Sequence, residues 1–91
     1  MNNVVWSKRA LAHLSGIRSY IAQFHPTAAQ EIALHLVESG NSLQSFPHRG
    51  RPVPGTNKRE LVTIYPYVIR YRIAGDDVRI LSVRHGSRRQ A

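Results

Sequence analysis

The sequence predicts a single α+β domain over residues 1–91, in the order β-α-α-β-β-β, with a helical hairpin packed on one face of a small antiparallel sheet. Three observations predict it. Two consecutive segments repeat their apolar residues at steps of three and four and are separated only by His25-Pro26. After Asn57 the apolar period changes to two. Ala74-Gly75-Asp76-Asp77 then supplies the turn chemistry of a strand pair.

Asn3 to Trp6 is short, apolar and β-branched, which fits an opening strand. Ser7 is placed to cap the helix that follows. From Lys8, residues Ala10, Leu14, Ile17, Ile21 and Phe24 form one apolar stripe, flanked by Leu11 and Tyr20. Gly16 interrupts the helix at a cost of about 1 kcal/mol relative to Ala, and Pro26 disfavours helical geometry at His25, so the helix is expected to stop near Phe24. A second helix begins at once. Pro26 suits its first turn, and Thr27 with Gln30 has capping-box spacing. Its apolar face is Ala29, Ile32, Ala33, Leu36, Val37 and Leu43, with Gly40 at its end or in a final turn. So short a connection makes the helices an antiparallel hairpin with an apolar face still to be covered.

Pro47 to Asn57 holds three prolines and two glycines and reads as a long loop of functional interest. Arg59 to Tyr65, Tyr67 to Ile73 and Val78 to His85 read as strands, interrupted by Pro66 and by the turn at 74–77. In the middle one, Tyr67, Ile69, Tyr71 and Ile73 share one face, and Val68, Arg70 and Arg72 the other. The first strand is expected to join the sheet beside a later one. The seven aromatic residues are assigned mostly to the core.

Charge narrows the function. The chain carries 13 Lys+Arg against 5 Asp+Glu, a formal net charge of +8. Residues 46–91 hold ten of those cations against Glu60, Asp76 and Asp77. Such a field points to a polyanionic partner, nucleic acid or an acidic protein. With no cysteine, disulfides, thiolate metal sites and cysteine nucleophiles are excluded. The histidines show no metal-ligand spacing, no cofactor motif is visible, and no apolar run is long enough to span a bilayer. A cytoplasmic protein without metal or cofactor is the expectation.

Arg70 and Arg72 are the sharpest local feature. They are alternate strand residues whose guanidiniums emerge side by side, suited to bidentate phosphate or carboxylate recognition or to a solvated sheet face. Arg79 or Arg84 of the next strand are placed to join them, and Arg49 and Arg51 with His48 add charge from the loop. His85, followed by the basic tail with Arg88 and Arg89, is a candidate acid or base, or a hydrogen-bonded strand terminus. Glu60 is a candidate general base, or a cross-strand ion-pair partner of Arg70 or Arg72.

The stretches VVWSKRALAHLSGIRSYI, HPTAAQEIALHLVES, FPHRGRPV and RELVTIYPYVIRYRIAGDDVRILSVRHGSR, in this order and over nearly the whole chain, resemble the RelE/ParE superfamily of type II toxin–antitoxin toxins. The resemblance implies a small basic toxin neutralised by a cognate antitoxin, an acidic and partly disordered protein that folds around it. RelE-like members cleave mRNA on the ribosome without metal, and ParE-like members poison DNA gyrase. If the chain is a ribonuclease, the base, acid and cations that RNA cleavage needs are to be sought in His85, Arg59, Arg70 and Glu60. Leu61 and Val68, however, fall where RelE has a lysine and a catalytic arginine. The long hairpin and the FPHRGRPV loop look more like ParE. On either toxin reading Arg49, Arg51, Arg70, Arg72, Arg84 and Arg88 are the expected surface for target or antitoxin, and a non-catalytic basic nucleic-acid-binding module is the further alternative that the charge admits.

Overall fold

A computed structural model describes residues 2–86. The chain runs β1 (Asn3–Trp6), α1 (Lys8–Ala22), α2 (Pro26–Asn41), a 3-10 turn at Ser42–Gln44, β2 (Arg51–Pro52), β3 (Lys58–Ile64), β4 (Tyr67–Ala74) and β5 (Asp77–His85). The strands form one sheet in the order β1-β5-β4-β3-β2. Strands β2 to β5 are mutually antiparallel, whereas β1 pairs parallel to β5, from Asn3 opposite Asp77 to Trp6 opposite Ile80. The sheet is therefore mixed, because β1 reaches it by a crossover through both helices and not by a hairpin.

Ser7 caps α1 as its sequence position predicts: its Oγ accepts the amide of Ala10 at 3.0 Å and donates to the carbonyl of Leu81 at 3.1 Å. One hydroxyl thus starts the helix and ties it to β5. The capping box expected at Thr27 and Gln30 does not form. Pro26 occupies the first turn of α2, His25 is the capping residue, and its side chain makes no cap bond. The fixed φ of proline starts this helix without side-chain help.

The core lies between the hairpin and one sheet face. Ala10, Leu36 and Leu43 from the helical half meet Leu61, Ile69, Tyr71, Val78, Ile80 and Val83, with Val4, Trp6 and Ile17 packed against them. Each fully buried Leu or Ile contributes about 1.5–3 kcal/mol. A bulge between Arg70 and Tyr71 adds one residue to β5, so Ile80 and Val83 both point inward. Gly40 is buried where α2 crosses the sheet. A Cβ there would collide with the indole of Trp6 and lie 2.8 Å from Ile80 Cδ1, and Trp6 Nε1 donates to Asn41 Oδ1 beside it.

The aromatic residues correct the sequence reading. Only Tyr71 is fully buried, while Trp6 and Tyr67 pack at the core margin. Tyr20, Phe24, Phe46 and Tyr65 are exposed. Phe24 lies past the end of α1, Phe46 past the 3-10 turn and Tyr65 in a strand connection, so no element carries them inward.

Candidate functional site

Two basic surfaces emerge from this scaffold. The first is the sheet face opposite the helices. Ile69 and Tyr71 on β4 and Val78 and Ile80 on β5 point into the core, so Arg70, Arg72 and Arg79 project from the other side. Strand register arranges them in rows. Arg51, Glu60, Arg70 and Ser82 stand opposite one another across four strands. The next row is Lys58, Arg72 and Arg79, ending at Val5. Glu60 Oε2 accepts from Arg70 Nε at 3.1 Å and Nη2 at 2.5 Å, and Oε1 lies 3.9 Å from Arg51 Nη2. Asp77 pairs with Arg79 at 3.5 Å. Among the described residues no carboxylate ion-pairs with Lys58 or Arg72. Three cations directly opposite one another are unfavourable in a sheet, so this row is held together by the core beneath and repelled from within.

The loop before β3 is fastened to the covered side of the sheet. The buried Tyr71 hydroxyl donates to the carbonyl of Pro47 at 2.7 Å and accepts the amide of Gly50 at 2.8 Å. Burial pushes its pKa above the usual 10.0, with the Gly50 bond, Arg59 and Arg49 opposing. Gly50 has no room for a side chain: a Cβ would lie 2.8 Å from both the Glu60 carbonyl and the Tyr71 ring. Arg59, opposite Tyr71 on β3, donates Nη1 to the carbonyls of Gly50 at 2.6 Å and His48 at 3.3 Å. Arg49 Nη1 donates to Ser42 Oγ at 2.8 Å, and Arg51 is left largely in solvent.

The second surface is a cleft of about 630 Å³ where α1 passes the end of β4 and β5. Arg9, His13, Gly16 and Tyr20 line it from α1, Tyr67, Arg84 and His85 from the strands. Strand β1 ends at Trp6, beyond which α1 side chains take over the outer edge of β5: His13 Nδ1 accepts the amide of Val83 at 3.2 Å. Burial first, then Arg9 and Arg84, hold His13 below its ordinary 6.5. His85 stands opposite Tyr67, with the two rings edge to face at 5.6 Å.

The residues proposed for catalysis do not converge. Glu60 and Arg70 are joined on the open face. Arg59 and His85 belong to the face carrying the helices, but on the two strands flanking β4 and opposite Tyr71 and Tyr67 respectively, with Arg59 committed to loop carbonyls. Of the proposed binding residues, Arg51, Arg70 and Arg72 share the open face, Arg49 sits on the fastened loop, and Arg84, opposite Val68, stands on the open-face side by register while bordering the cleft. Arg88 lies outside the described residues. Sequence reasoning missed His13, although Arg9, His13, Gly16 and Tyr20 lie at helical spacing on one face. It also missed Lys58 as a member of the open face. Among the described residues no group of three His, Asp or Glu is placed to hold a metal, and no helix is long and apolar enough to cross a membrane.

Comparison with known proteins gives the family. Residues 4–90 match the family described as the ParE toxin of the type II toxin–antitoxin system parDE. Toxin RelE2 of Caulobacter vibrioides is 51% identical over 88 residues, covering 97% of this chain and 99% of its own. Putative toxin Y4kP of Sinorhizobium fredii is 40% identical over 81 residues, covering 88% and 83%. Among solved structures, a chain of the chromosomal ParDE TA system from P. aeruginosa superposes with a TM-score of 0.83 at 25% identity, covering 93% of this chain and 96% of that one.

Proposed function

The chain belongs to the ParE toxin family of type II toxin–antitoxin systems, and from that premise we propose that it arrests growth by binding and poisoning DNA gyrase, without cutting RNA. The observation that carries this reading is the separation of the would-be catalytic groups by the sheet itself. Metal-free RNA cleavage needs a base at the 2′-hydroxyl, an acid at the leaving oxygen and cations at the phosphate, all around one scissile bond. Glu60 is engaged by Arg70 on one face, while Arg59 and His85 stand on the other. A poison of a protein–DNA complex needs a shaped cationic surface and no proton transfer. The row Lys58, Arg72, Arg79 supplies that, with two cations unneutralised by any described carboxylate.

A cognate antitoxin, acidic and ordered on binding, neutralises the toxin by covering this charge, its carboxylates meeting Arg49, Arg51, Arg70 and Arg72. The test is a supercoiling assay with purified gyrase. Added toxin is expected to inhibit supercoiling or to trap cleaved DNA, and added antitoxin to reverse it. Undisturbed gyrase at excess toxin, together with codon-positioned cuts in translated mRNA, would overturn this reading for the ribonuclease one.

A further inference from the structure

We propose that the open sheet face binds duplex DNA directly, through its phosphates and without reading its sequence. The proposal rests on the gyrase reading above and names the partner of its cationic row: by this face the toxin holds the DNA of the gyrase–DNA complex.

Charge gives the first argument. Glu60 is engaged by Arg70 and Arg51, and Asp77 by Arg79. Lys58 and Arg72 stand opposite each other on β3 and β4, and neither ion-pairs with a described carboxylate. Like charges so placed oppose the pairing of their strands. A polyanion laid across the row removes that repulsion.

Spacing gives the second. Neighbouring strands lie about 4.8 Å apart, so the backbone positions of Lys58, Arg72 and Arg79 span about 10 Å across β3, β4 and β5. Arg70 stands two residues before Arg72, about 7 Å along the same strand. One carboxylate or one isolated phosphate cannot meet charges spread over such an area. Duplex DNA can. It carries one negative charge per about 1.7 Å of its axis, on two strands that face each other across grooves of about 6 and 12 Å.

Surface character gives the third. The residues that register sets opposite one another on this face include no aromatic ring. A protein partner is held by Tyr or Trp anchors seated in pockets, and a single-stranded nucleic acid by bases stacked on rings. The α1 cleft and a smaller one between α2 and β3 both lie elsewhere, and neither is lined by Lys58, Arg72 or Arg79. A cationic surface without rings or pockets suits a duplex backbone, whose phosphates position a protein and carry no sequence information.

Fluorescence anisotropy of a labelled duplex of about 20 base pairs, titrated with the full-length toxin in the absence of gyrase, tests the assignment. Affinity should be the same for two unrelated sequences. It should fall with salt at a slope of about −3 or steeper in log K against log salt concentration, as three phosphate contacts require. Lys58→Gln with Arg72→Gln should weaken binding about tenfold or more, make the slope shallower by about two and abolish gyrase inhibition. This pair of changes removes mutually repelling charge, so the urea midpoint should not fall. Lys8→Gln with Arg18→Gln removes the same charge from α1, on the far side of the sheet. Its duplex affinity should stay within about twofold of wild type at physiological salt, where charge so placed is screened. Equal loss in the two double variants would overturn the proposal, since net charge alone would then account for binding. So would a single strand of the same length, or poly-glutamate, that binds wild type more tightly than the duplex does and loses that advantage in Lys58→Gln with Arg72→Gln. The face would then be a surface for a single strand or for an acidic protein. Wild type that inhibits gyrase but binds no duplex would overturn this proposal and spare the gyrase reading. Wild type that binds duplex through the row but leaves gyrase untouched would overturn the gyrase reading alone.

Discussion

The open sheet face and the α1–β5 cleft are both cationic, but they are built on different principles. On the sheet face, register alone sets the spacing: Lys58, Arg72 and Arg79 are brought opposite one another by the same ladder that aligns Ile73 with Val78. The backbone positions that carry these charges cannot move apart without unpairing the core strands. In the cleft, charge comes from side chains of two different elements, with apolar surface between them and an imidazole holding helix and strand together. The first is a rigid, flat, permanently charged surface, suited to steering toward a large polyanion or acidic protein. The second is concave, and its charge responds to pH. A toxin that must meet both a target and a neutralising partner gains from having two such unlike surfaces.

The largest effect is expected from reversing charge in the unneutralised row. Lys58→Glu puts a carboxylate opposite Arg72, and replacing a like-charge cross-strand pair by an opposite-charge one stabilises by about 0.2–1 kcal/mol. The same change subtracts two units of charge from the face. On the gyrase-poison reading proposed above, Lys58→Glu, and more so Lys58→Glu with Arg79→Glu, should abolish growth arrest and any inhibition of gyrase while the urea midpoint stays level or rises. A variant that keeps full toxicity at unchanged stability would show that the row is only a solvated face.

A second break point is structural. Tyr71→Phe leaves the amide of Gly50 and the carbonyl of Pro47 without the hydroxyl that satisfies both. The cost should be about 2 kcal/mol in denaturant unfolding. Toxicity should fall less than in Lys58→Glu, because the strand register carrying the charge row survives. A Tyr71→Phe protein as stable as wild type would show that the loop is fastened by Arg59 alone.

The two surfaces also differ in how far they can be read from sequence. Alternation along YVIRYRI is enough to put Arg70 and Arg72 on one face, because a period of two is a local property. The pairing of Glu60 with Arg70 is legible as one of two options, and only the register chooses between them. The bulge that turns both Ile80 and Val83 inward leaves no local signature. Neither does β2, since two residues are too few to show any period. Where the Arg59 guanidinium goes has no local signature either, because its partners are carbonyls of a loop whose path follows from the buried Tyr71. The cleft was invisible for a similar reason. His13 and His85 come from opposite ends of the chain, and only the crossover that docks α1 against the edge of β5 brings them together. The helical spacing of Arg9, His13, Gly16 and Tyr20 was the one signal available.

The smallest expected effect is a pH dependence set by His13. His13 accepts from Val83 N–H only when its Nδ1 carries no proton, and burial, then Arg9 and Arg84, hold its pKa below 6.5. His85 on β5 and Tyr67 on β4 also line the space around it. Above about pH 6.5 the ring is neutral both folded and unfolded, so its contribution to stability is constant. As pH falls below that value, the unfolded chain takes up the proton first. Stability therefore declines until the folded ring protonates as well, and there the contribution is spent. His13→Asn keeps an acceptor near the Nδ1 position and removes the titration. The loss of stability between pH 7.5 and pH 5 should be smaller in His13→Asn than in wild type, measured as the difference in urea midpoint. The open face, which carries no histidine, should add nothing to that difference, and charge reversal at Lys58 should leave it unchanged. Equal acid sensitivity in wild type and His13→Asn would mean that the imidazole does not hold α1 to β5, and the cleft would lose its pH-dependent character.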